Sequence, residues 1–295
     1  MTQQPRLITI ANQKGGVGKT TSAVNLAAAL AHQGHTVLVI DLDPQGNAST
    51  ALGVEHRTGT NSSYEVLLGN ATAKQAVQQS PNRDNLWCIP ATIDLAGAEI
   101  EFGFDYVFID CPPSLGLLTI NAMTAVQEVI IPIQCEYYAL EGVGQLLNNI
   151  TMIREHLNAD LHISGVLLTM YDGRTKLAEQ VVDEVRGQFG AVVLGNVIPR
   201  SVRVSEAPGY GQTVIDYSPS SHGAYAYGAA AKELDERGDY VPHSSTGPIG
   251  VSPEIYEQLS QQAGDDAADN VAAVDNAADN DAVASNSADN PADEA

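Results

Sequence analysis

The sequence predicts an α/β protein with a mostly parallel, twisted sheet that carries helices on both faces. Two observations predict this fold class. Apolar, β-branched runs alternate with helical patterns up to about residue 237, and the runs are apolar almost throughout rather than at every second position. Strands of that kind are buried on both faces, which is typical of parallel sheets covered by helices. We therefore expect one domain over residues 1–240, followed by a different segment at 241–295.

Seven runs are predicted to form strands, because they are short, rich in Val, Ile and Leu, and bounded by turn residues. They are Leu7–Ala11, Thr36–Asp41, Leu86–Ile89, Tyr106–Asp110, Glu128–Ile133, Ile163–Thr169 and Val192–Ile198. Helical spacing between them predicts helices at Thr20–Gln33, Leu140–His156, Lys176–Phe189 and Gly223–Arg237. Ligands of such sheets bind at the carboxyl ends of the strands, so the residues that follow each strand are candidates for a site.

The charge of the chain is unevenly distributed along its length. The formal net charge is -22, and all 14 basic residues lie at or before Arg237. Residues 1–237 hold 24 acidic residues and carry a net charge of -10, whereas residues 238–295 hold twelve acids and no base. This balance argues against strong binding of DNA through bulk electrostatics, although it leaves room for a local basic patch.

The composition changes at about residue 241, where Asp, Asn, Ala and Ser become dominant. The tetrapeptide Ala-Ala-Asp-Asn occurs at 267–270 and again at 277–280. With few large apolar residues and one sign of charge, such a segment cannot offset the entropy of ordering its chain. We expect residues 241–295 to be a disordered acidic tail, with Pro253–Gln262 as a candidate short helix.

Cysteine usage and hydropathy exclude several classes of protein. Cys88, Cys111 and Cys135 are isolated and form no Cys-x-x-Cys pair, so no zinc or iron–sulfur site is predicted. Unpaired cysteines fit a reducing cytoplasm. The chain starts without a signal segment, and no apolar run approaches the ~20 residues of a membrane span. The expected location is therefore the cytoplasm, with no membrane partner.

A glycine-rich loop between the first strand and the first helix is the strongest functional motif. Backbone N–H groups of such a loop, together with the helix N-terminus, form a cradle for phosphate. The side chain of Lys19 is placed to reach the β- and γ-phosphates, and the Thr20 hydroxyl to bind Mg²⁺. An ordinary turn needs one or two glycines and no flanking lysines. The predicted phosphate-binding residues are Lys14, Gly15, Gly16, Val17, Gly18, Lys19, Thr20 and Thr21.

Carboxylates follow two further strands. Asp41 and Asp43 come at the end of the second strand, where Asp43 could orient a water molecule for attack on the γ-phosphate and Asp41 could support Mg²⁺ or cap the loop. The alternative is that both simply end a strand and begin a turn, as Asp-Pro favours. Asp110 ends another apolar strand, and its position is typical of an aspartate that holds Mg²⁺ directly or through water. The alternative is that it simply ends the strand and binds no metal.

Together these motifs resemble the ParA/Soj family of chromosome- and plasmid-partitioning ATPases. The loop Lys-Gly-Gly-Val-Gly-Lys-Thr begins at Lys14, the extra lysine that marks the deviant Walker A ATPases. Gln13, directly before it, stands where an ordinary P-loop has its first glycine. Over nearly all of residues 1–237, the chain resembles the short, chromosomal members of this family. It extends over the segments Asp41–Asn47, Asp110–Gly116, Glu136–Gly142 and Ile198–Pro208.

The resemblance implies a cycle driven by ATP and Mg²⁺. ATP binding would close two subunits into a homodimer, in which Lys14 reaches across to the partner's phosphates. The dimer would bind nonspecific DNA, and thus the nucleoid, until a ParB-like protein stimulates hydrolysis. The adenine of the family lies near the loop that corresponds to Glu206–Tyr210, so Pro208 and Tyr210 are further candidates. Physically, the γ-phosphate favours the closed state and its loss removes that preference.

The chain departs from the family pattern at two places. Relatives carry some twenty more residues near positions 101–104, so we expect only one short helix, about Leu95–Glu101, in that crossover. The family segment Pro-Arg-Ser-Arg/Lys-Gly reads Pro219-Ser-Ser-His-Gly223 here, which weakens the basic patch. Arg200 and Arg203 remain as DNA-binding candidates, and their alternative is a surface salt bridge or loop anchor.

Two other functions compete with this interpretation. A MinD-like division regulator would need a basic amphipathic helix at the C-terminus, whereas this tail is acidic. A non-hydrolysing interaction protein that uses nucleotide only as a structural ligand is compatible with the short crossover. The presence of Asp43 and Lys14 argues against it, and so favours an ATPase.

Overall fold

The structure is a computed structural model that describes residues 4–57, 60–67, 69–91, 103–238 and 256–259. The strands are β1 (Arg6–Ile10), β2 (Val37–Asp41), β3 (Gln78–Gln79), β4 (Leu86–Ile89), β5 (Tyr106–Asp110), β6 (Glu128–Gln134) and β7 (His162–Thr169). The helices are α1 (Lys19–His32), α2 (Asn47–Ala51), α3 (Ser63–Leu67), α4 (Ala73–Ala76), α5 (Leu117–Ala125), α6 (Val143–His156), α7 (Lys176–Phe189), α8 (Val202–Glu206), α9 (Val214–Tyr217) and α10 (His222–Arg237).

The seven strands form one sheet in the order β3-β4-β2-β5-β1-β6-β7. The pairings are parallel except that of β3 with β4, which confirms the predicted α/β fold. Strand β5 lies between β1 and β2, and its last residue, Asp110, is in register with Ile10 and with Asp41. The carboxyl ends of these three strands therefore meet at one edge of the sheet.

The connections place helices on both faces of the sheet. The crossover from β1 to β2 runs toward the β3 edge, whereas those from β5 to β6 and from β6 to β7 run the other way. Because such crossovers are right-handed, α1 lies on one face, and α5 and α6 lie on the opposite one. We call these the α1 face and the α6 face. Five of the eleven buried residues of α1 are alanines, and such small side chains let helices approach closely, so α10 packs beside it.

Most predicted elements are present with small shifts at their ends. Helix α7 has the predicted bounds, and α6 begins at Val143 rather than Leu140, because Gly142 adopts a left-handed conformation (φ 74°) just before it. Of the predicted helix Pro253–Gln262, residues 256–259 are helical and the remainder lies outside the described residues. The helix expected at Leu95–Glu101 also lies outside them.

The predicted strand Val192–Ile198 was wrong. A 3₁₀ turn covers Gly190–Val192, and only isolated bridges join the following residues to the β7 side, Val193 to Val166 and Pro199 to Tyr171. The ladder is interrupted because the N–H groups of Leu194 and Ile198 donate to the carbonyls of Val166 and Leu168, so a step of four residues opposes a step of two in β7. The chain bulges between them, and there the N–H of Gly195 donates to Oε1 of Glu233 in α10 (2.9 Å). Among the described residues, no helix is both long enough and apolar enough to cross a bilayer.

Candidate active site

The predicted phosphate loop lies at the carboxyl end of β1, next to the end of β5 with Asp110 and one strand further from the end of β2 with Asp41. Gly16 (φ 77°) and Gly18 (φ 90°) adopt left-handed conformations, and α1 begins directly after Gly18. Residues with a Cβ rarely adopt these angles, which explains the glycines at these positions. The loop therefore ends on the N-terminus of a 14-residue helix, where backbone N–H groups and the helix dipole favour an anion.

Polar side chains from the loop and a neighbouring strand hold the loop in place. The amide of Asn12 donates to the carbonyl of Pro132 in β6 (2.8 Å), and its Oδ1 accepts from the N–H of Lys14 (3.0 Å). The hydroxyl of Thr169, at the end of β7, donates to the carbonyl of Val17 (2.8 Å). These bonds fix the backbone of the loop before any ligand binds, so little reorganisation is needed for phosphate binding.

Both lysines of the loop are bound to carbonyl oxygens. Nζ of Lys19 donates to the carbonyl of Lys14 (3.0 Å), and burial lowers the pKa of Lys19 against the opposing effect of Asp110 and Asp43. Nζ of Lys14 donates to the carbonyl of Tyr138 (3.1 Å) and lies 5.9 Å from the centre of the Tyr138 ring. Each ammonium group can exchange a neutral carbonyl for a charged phosphate oxygen, which is the stronger acceptor.

Asp110 is the group in this site that most needs a partner. Its side chain is completely buried, and neither carboxylate oxygen has a hydrogen bond of ordinary geometry to any described residue. Burial raises the pKa of Asp110 well above its usual value; the charges of Asp41 and Asp43 raise it further, while the Thr20 hydroxyl and Lys19 lower it. A buried carboxylate without a partner beside a hydroxyl fits a hard cation, and Thr20 with Asp110 would hold Mg²⁺.

This set of Mg²⁺ ligands is small, as expected for a metal that also binds phosphate. No group of three or more His, Cys, Asp or Glu side chains within the described part of the chain could hold a metal ion by itself. Mg²⁺ is usually bound by one or two protein groups, with substrate phosphates and water completing its coordination. The chain thus supplies part of a site whose other ligands arrive with a nucleotide.

The two aspartates that follow β2 have different environments. The oxygens of Asp41 accept from the N–H of Ser49 (2.8 Å), its hydroxyl (2.7 Å) and the N–H of Asp43 (3.2 Å). Burial raises the pKa of Asp41, and these hydrogen bonds oppose that effect. Asp43 is 8% exposed, and its Oδ1 accepts from the N–H of Gln45 (3.1 Å), while its Oδ2 accepts no hydrogen bond from a described residue. Asp41 therefore braces the loop, and Asp43 keeps an oxygen for a ligand.

The adenine candidates lie in a turn that packs beside the loop after β2. Pro208 and Tyr210 belong to the 3₁₀ turn Ala207–Tyr210, which contacts α2. Tyr210 is 69% exposed, and its ring stacks on that of Tyr217 with centroids 5.0 Å apart. An exposed aromatic ring that is supported by a second ring offers a flat surface for a base. Contact of Pro208 and Tyr210 with adenine stays a prediction.

The two arginines considered for DNA contact are ion-paired within the chain. Arg200 donates to Glu136, and Nη1 of Arg203 donates to Glu206 (2.9 Å). Their side chains are 53% and 58% exposed, and exposed pairs of this kind contribute little free energy, so phosphates could displace the carboxylates. The structure shows the salt-bridge alternative, and contact with DNA remains a prediction.

Sequence reasoning did not find the groups that brace the site. Asn12 and Thr169 hold the loop through backbone carbonyls, and the acceptor for Lys14 is the carbonyl of Tyr138. A backbone carbonyl has no sequence signal. Ser49 also braces the site, because its N–H and hydroxyl both donate to Oδ2 of Asp41.

Comparison with known families and curated proteins finds clear relatives of this chain. A family model described as an AAA domain matches residues 5–163. The chain is 50% identical over 252 residues to Soj, the sporulation initiation inhibitor protein of Bacillus subtilis, a match that covers 79% of this chain and 99% of Soj. It is 46% identical to the chromosome partitioning protein ParA of Myxococcus xanthus, covering 79% of this chain and 88% of that protein.

Solved structures share the fold. One is cobyrinic acid a,c-diamide synthase from Mycobacterium smegmatis with bound ADP and magnesium (37% identity, TM-score 0.67, 79% of this chain and 95% of that one). Another is the cell division ATPase MinD from Pyrococcus furiosus (28% identity, TM-score 0.65, 79% of this chain and 99% of that one). Both cover the same share of this chain as the curated relatives.

The residues that the family model matches, 5–163, include the phosphate loop, Asp43 and Asp110. The shortened crossover near positions 101–104 stays a prediction. The chain belongs to the ParA/Soj family of chromosome-partitioning ATPases.

Proposed function

We propose that this chain binds ATP and Mg²⁺ at the carboxyl edge of β1, β2 and β5, hydrolyses the ATP as a homodimer, and uses the cycle to partition chromosomes or plasmids. The observation that carries the proposal is the buried Asp110 carboxylate, which lacks a partner and faces Thr20 and Lys19 at the phosphate loop. A structural aspartate would have its oxygens bonded, as those of Asp41 are.

The residues of the site have separate roles in hydrolysis. Lys19 and the N–H groups of the loop bind and orient the phosphates, and bound Mg²⁺ neutralises the charge that develops on them. Asp43 uses its free oxygen to orient the attacking water. Preorganisation by Asn12 and Thr169 keeps the loop in place during the reaction. Most of the rate enhancement then comes from positioning and electrostatics.

Self-association is supported by exposed apolar side chains beside Lys14. Leu117, Tyr137 and Tyr138 are 78%, 75% and 61% exposed, and all three follow the carboxyl ends of β5 and β6. Such side chains are costly to leave in water as a cluster, and they are enriched in interfaces. In the proposed dimer, Lys14 leaves the carbonyl of Tyr138 and binds the phosphates of the partner's nucleotide.

DNA and a ParB-like protein are the proposed partners of the cycle. The names of the relatives connect them with chromosome partitioning, and that process requires an attachment to DNA. The folded part of this chain is acidic, and two positions of the family's basic segment are Ser220 and His222. We therefore expect nonspecific DNA binding on the nucleoid to be weak and strongly salt-dependent.

ATP hydrolysis by the purified protein tests the enzymatic part of the proposal. Slow turnover that rises when nonspecific DNA and a ParB-like protein are added is expected, and Asp43→Ala should abolish it while ATP still binds. Asp160→Ala is the matched control, because Asp160 is exposed and lies outside the site. ATP binding by the unchanged protein without any turnover would overturn the proposal and favour the non-hydrolysing interaction protein.

A mixing experiment tests the dimer and the role of Lys14 together. Lys14→Ala and Asp43→Ala proteins should each be inactive. If Lys14 acts across the interface of a twofold dimer, a 1:1 mixture should recover about a quarter of the normal activity, because half the dimers are mixed and each has one complete site. No recovery, although the mixed dimers form with a non-hydrolysable ATP analogue, would contradict action across the interface.

A further inference from the structure

A short helical segment from the C-terminal part of the chain is packed onto the α6 face of the sheet. Residues 256–259 are helical, although they are separated by 17 residues from Gly238, the end of the described domain. Leu259 is only 2% exposed and belongs to the apolar cluster of the α6 face, together with Leu146, Leu147 and Ile150 of α6. The acidic, polar composition of 241–295 does not predict such a contact.

The segment presents one side to the domain and the other to solvent. Tyr256 packs against the same cluster, and its hydroxyl donates to Oδ1 of Asn148 in α6 (2.8 Å). Tyr256 and Leu259 are three residues apart and so lie on one side of a helical turn, whereas Glu257 and Gln258 between them are exposed. The contact thus combines a buried apolar anchor with a specific hydrogen bond.

Two apolar side chains of the sheet are incompletely covered on the α6 face. Leu7 on β1 and Trp87 on β4 are only partly buried against the α6-face cluster. The face therefore has apolar side chains to offer to a further packing element.

The linker is long enough for the segment to reach its own domain. Seventeen extended residues span about 55 Å. A domain of this size has a diameter of about 45 Å. The linker therefore reaches any site within about 55 Å of Gly238 along the surface of the domain, and docking within one chain has the advantage of a high effective concentration.

We propose that Tyr256–Leu259 is a docking element, that the surface of α6 around Asn148 is its binding site, and that the segment binds there within its own chain to complete the packing of the α6 face. The occupant is thus this named segment, and its recognition depends on the Leu259 anchor and the Tyr256 hydroxyl. The inference is independent of ATP hydrolysis and of DNA binding.

Amide hydrogen exchange and thermal unfolding of the full-length protein test the proposal. Leu259→Asp should release the segment, raise the exchange rates of α6 amides (143–156) about fivefold or more, and lower Tm by about 2 °C or more. Gln258→Asp is the matched control, because it adds the same charge one residue earlier at an exposed position. Tyr256→Phe, which removes only the hydroxyl, should have a smaller effect in the same direction.

Two results would overturn the inference. Equal exchange rates and Tm values for Leu259→Asp, Gln258→Asp and the unchanged protein would show that the segment does not stabilise the α6 face. Protection of α6 that increases over a hundredfold range of protein concentration would show that the segment binds a second copy instead of its own chain. Protection that is independent of concentration and lost in Leu259→Asp supports the proposal.

Discussion

At the residue scale, Asp110 shows how a binding site lowers the stability of the protein that carries it. Its carboxylate is buried without a hydrogen-bond partner, and an unsatisfied buried polar group costs about 1–3 kcal/mol, more when it is charged. We therefore expect Asp110→Asn to raise Tm of the metal-free and nucleotide-free protein at pH 7 by a few degrees. The stabilisation of the unchanged protein by ATP with Mg²⁺ should be lost in this variant.

The pH dependence of this effect has a definite sign. Because the folded-state pKa of Asp110 is raised above the unfolded value of about 3.9, the folded protein binds more protons between these two pKa values. Its stability therefore falls as the pH rises through this range. The Tm advantage of Asp110→Asn should grow from pH 5 to pH 8, a range that lies above the sequence pI of ≈ 4.4. A variant that melts at or below the temperature of the unchanged protein across this range would contradict the prediction.

The site residues divide into those that sequence patterns predict and those that they do not. Lys19, Thr20 and Asp110 follow from motif spacing, because a P-loop and a strand-end acid each have a recognisable pattern. The contact of Lys14 with the carbonyl of Tyr138 joins residues 124 positions apart. This contact depends on the path of the backbone after β6, which cannot be predicted from a pattern of side chains.

At the element scale, the packing of α10 against α8 depends on one glycine. A Cβ on Gly223 would lie 2.5 Å from Cγ2 of Val204, and a β-branched side chain cannot easily move away. Gly223→Ala is therefore expected to lower the free energy of unfolding by about 1–3 kcal/mol through overpacking. Gly228→Ala, in the same helix with no atom within 4 Å of its Cβ, should raise it by about 0.5–1 kcal/mol.

Chemical denaturation of the two variants checks this pair. Truncation of the neighbour in Gly223→Ala/Val204→Ala should restore part of the stability that Gly223→Ala loses, since the two side chains are in contact and their effects are not additive. Equal denaturant midpoints of unfolding for Gly223→Ala and Gly228→Ala would show that α8 moves freely and that its packing against α10 is loose.

The difference between α7 and residues 192–198 explains what element prediction can achieve. Helix α7 was predicted with its bounds, because its pattern is strongly amphipathic and the Thr175 hydroxyl caps it by accepting from the N–H of Ala178 (3.3 Å). Residues 192–198 are rich in apolar side chains, but the chain has two residues more than a regular strand between the bonds of Leu194 and Ile198 to β7. Local patterns therefore predict elements with local causes, and they fail where the pairing with a distant strand is interrupted.

At the scale of the whole molecule, the distribution of charge limits the DNA binding that we propose. Arg200 and Arg203 are paired with Glu136 and Glu206, so binding phosphate requires each to exchange a carboxylate for a phosphate oxygen. Ser220 and His222 are exposed at the start of α10, at the two positions that are expected to be basic from the family resemblance. Restoring the two charges is expected to tighten DNA binding without changing the fold.

The variant Ser220→Arg/His222→Arg tests this expectation by its salt dependence. Each new phosphate contact should steepen the slope of log K against log salt by about 0.9, hence by about 1.8 for the pair. Gln145→Arg/Gln180→Arg is the matched control, because it adds the same charge at exposed positions of α6 and α7. If the slope steepens equally in both variants, the effect is one of net charge. If the slope steepens only in Ser220→Arg/His222→Arg, the start of α10 faces DNA. The neutral side chains of Ser220 and His222 then make this chain a weaker DNA binder than its fold allows.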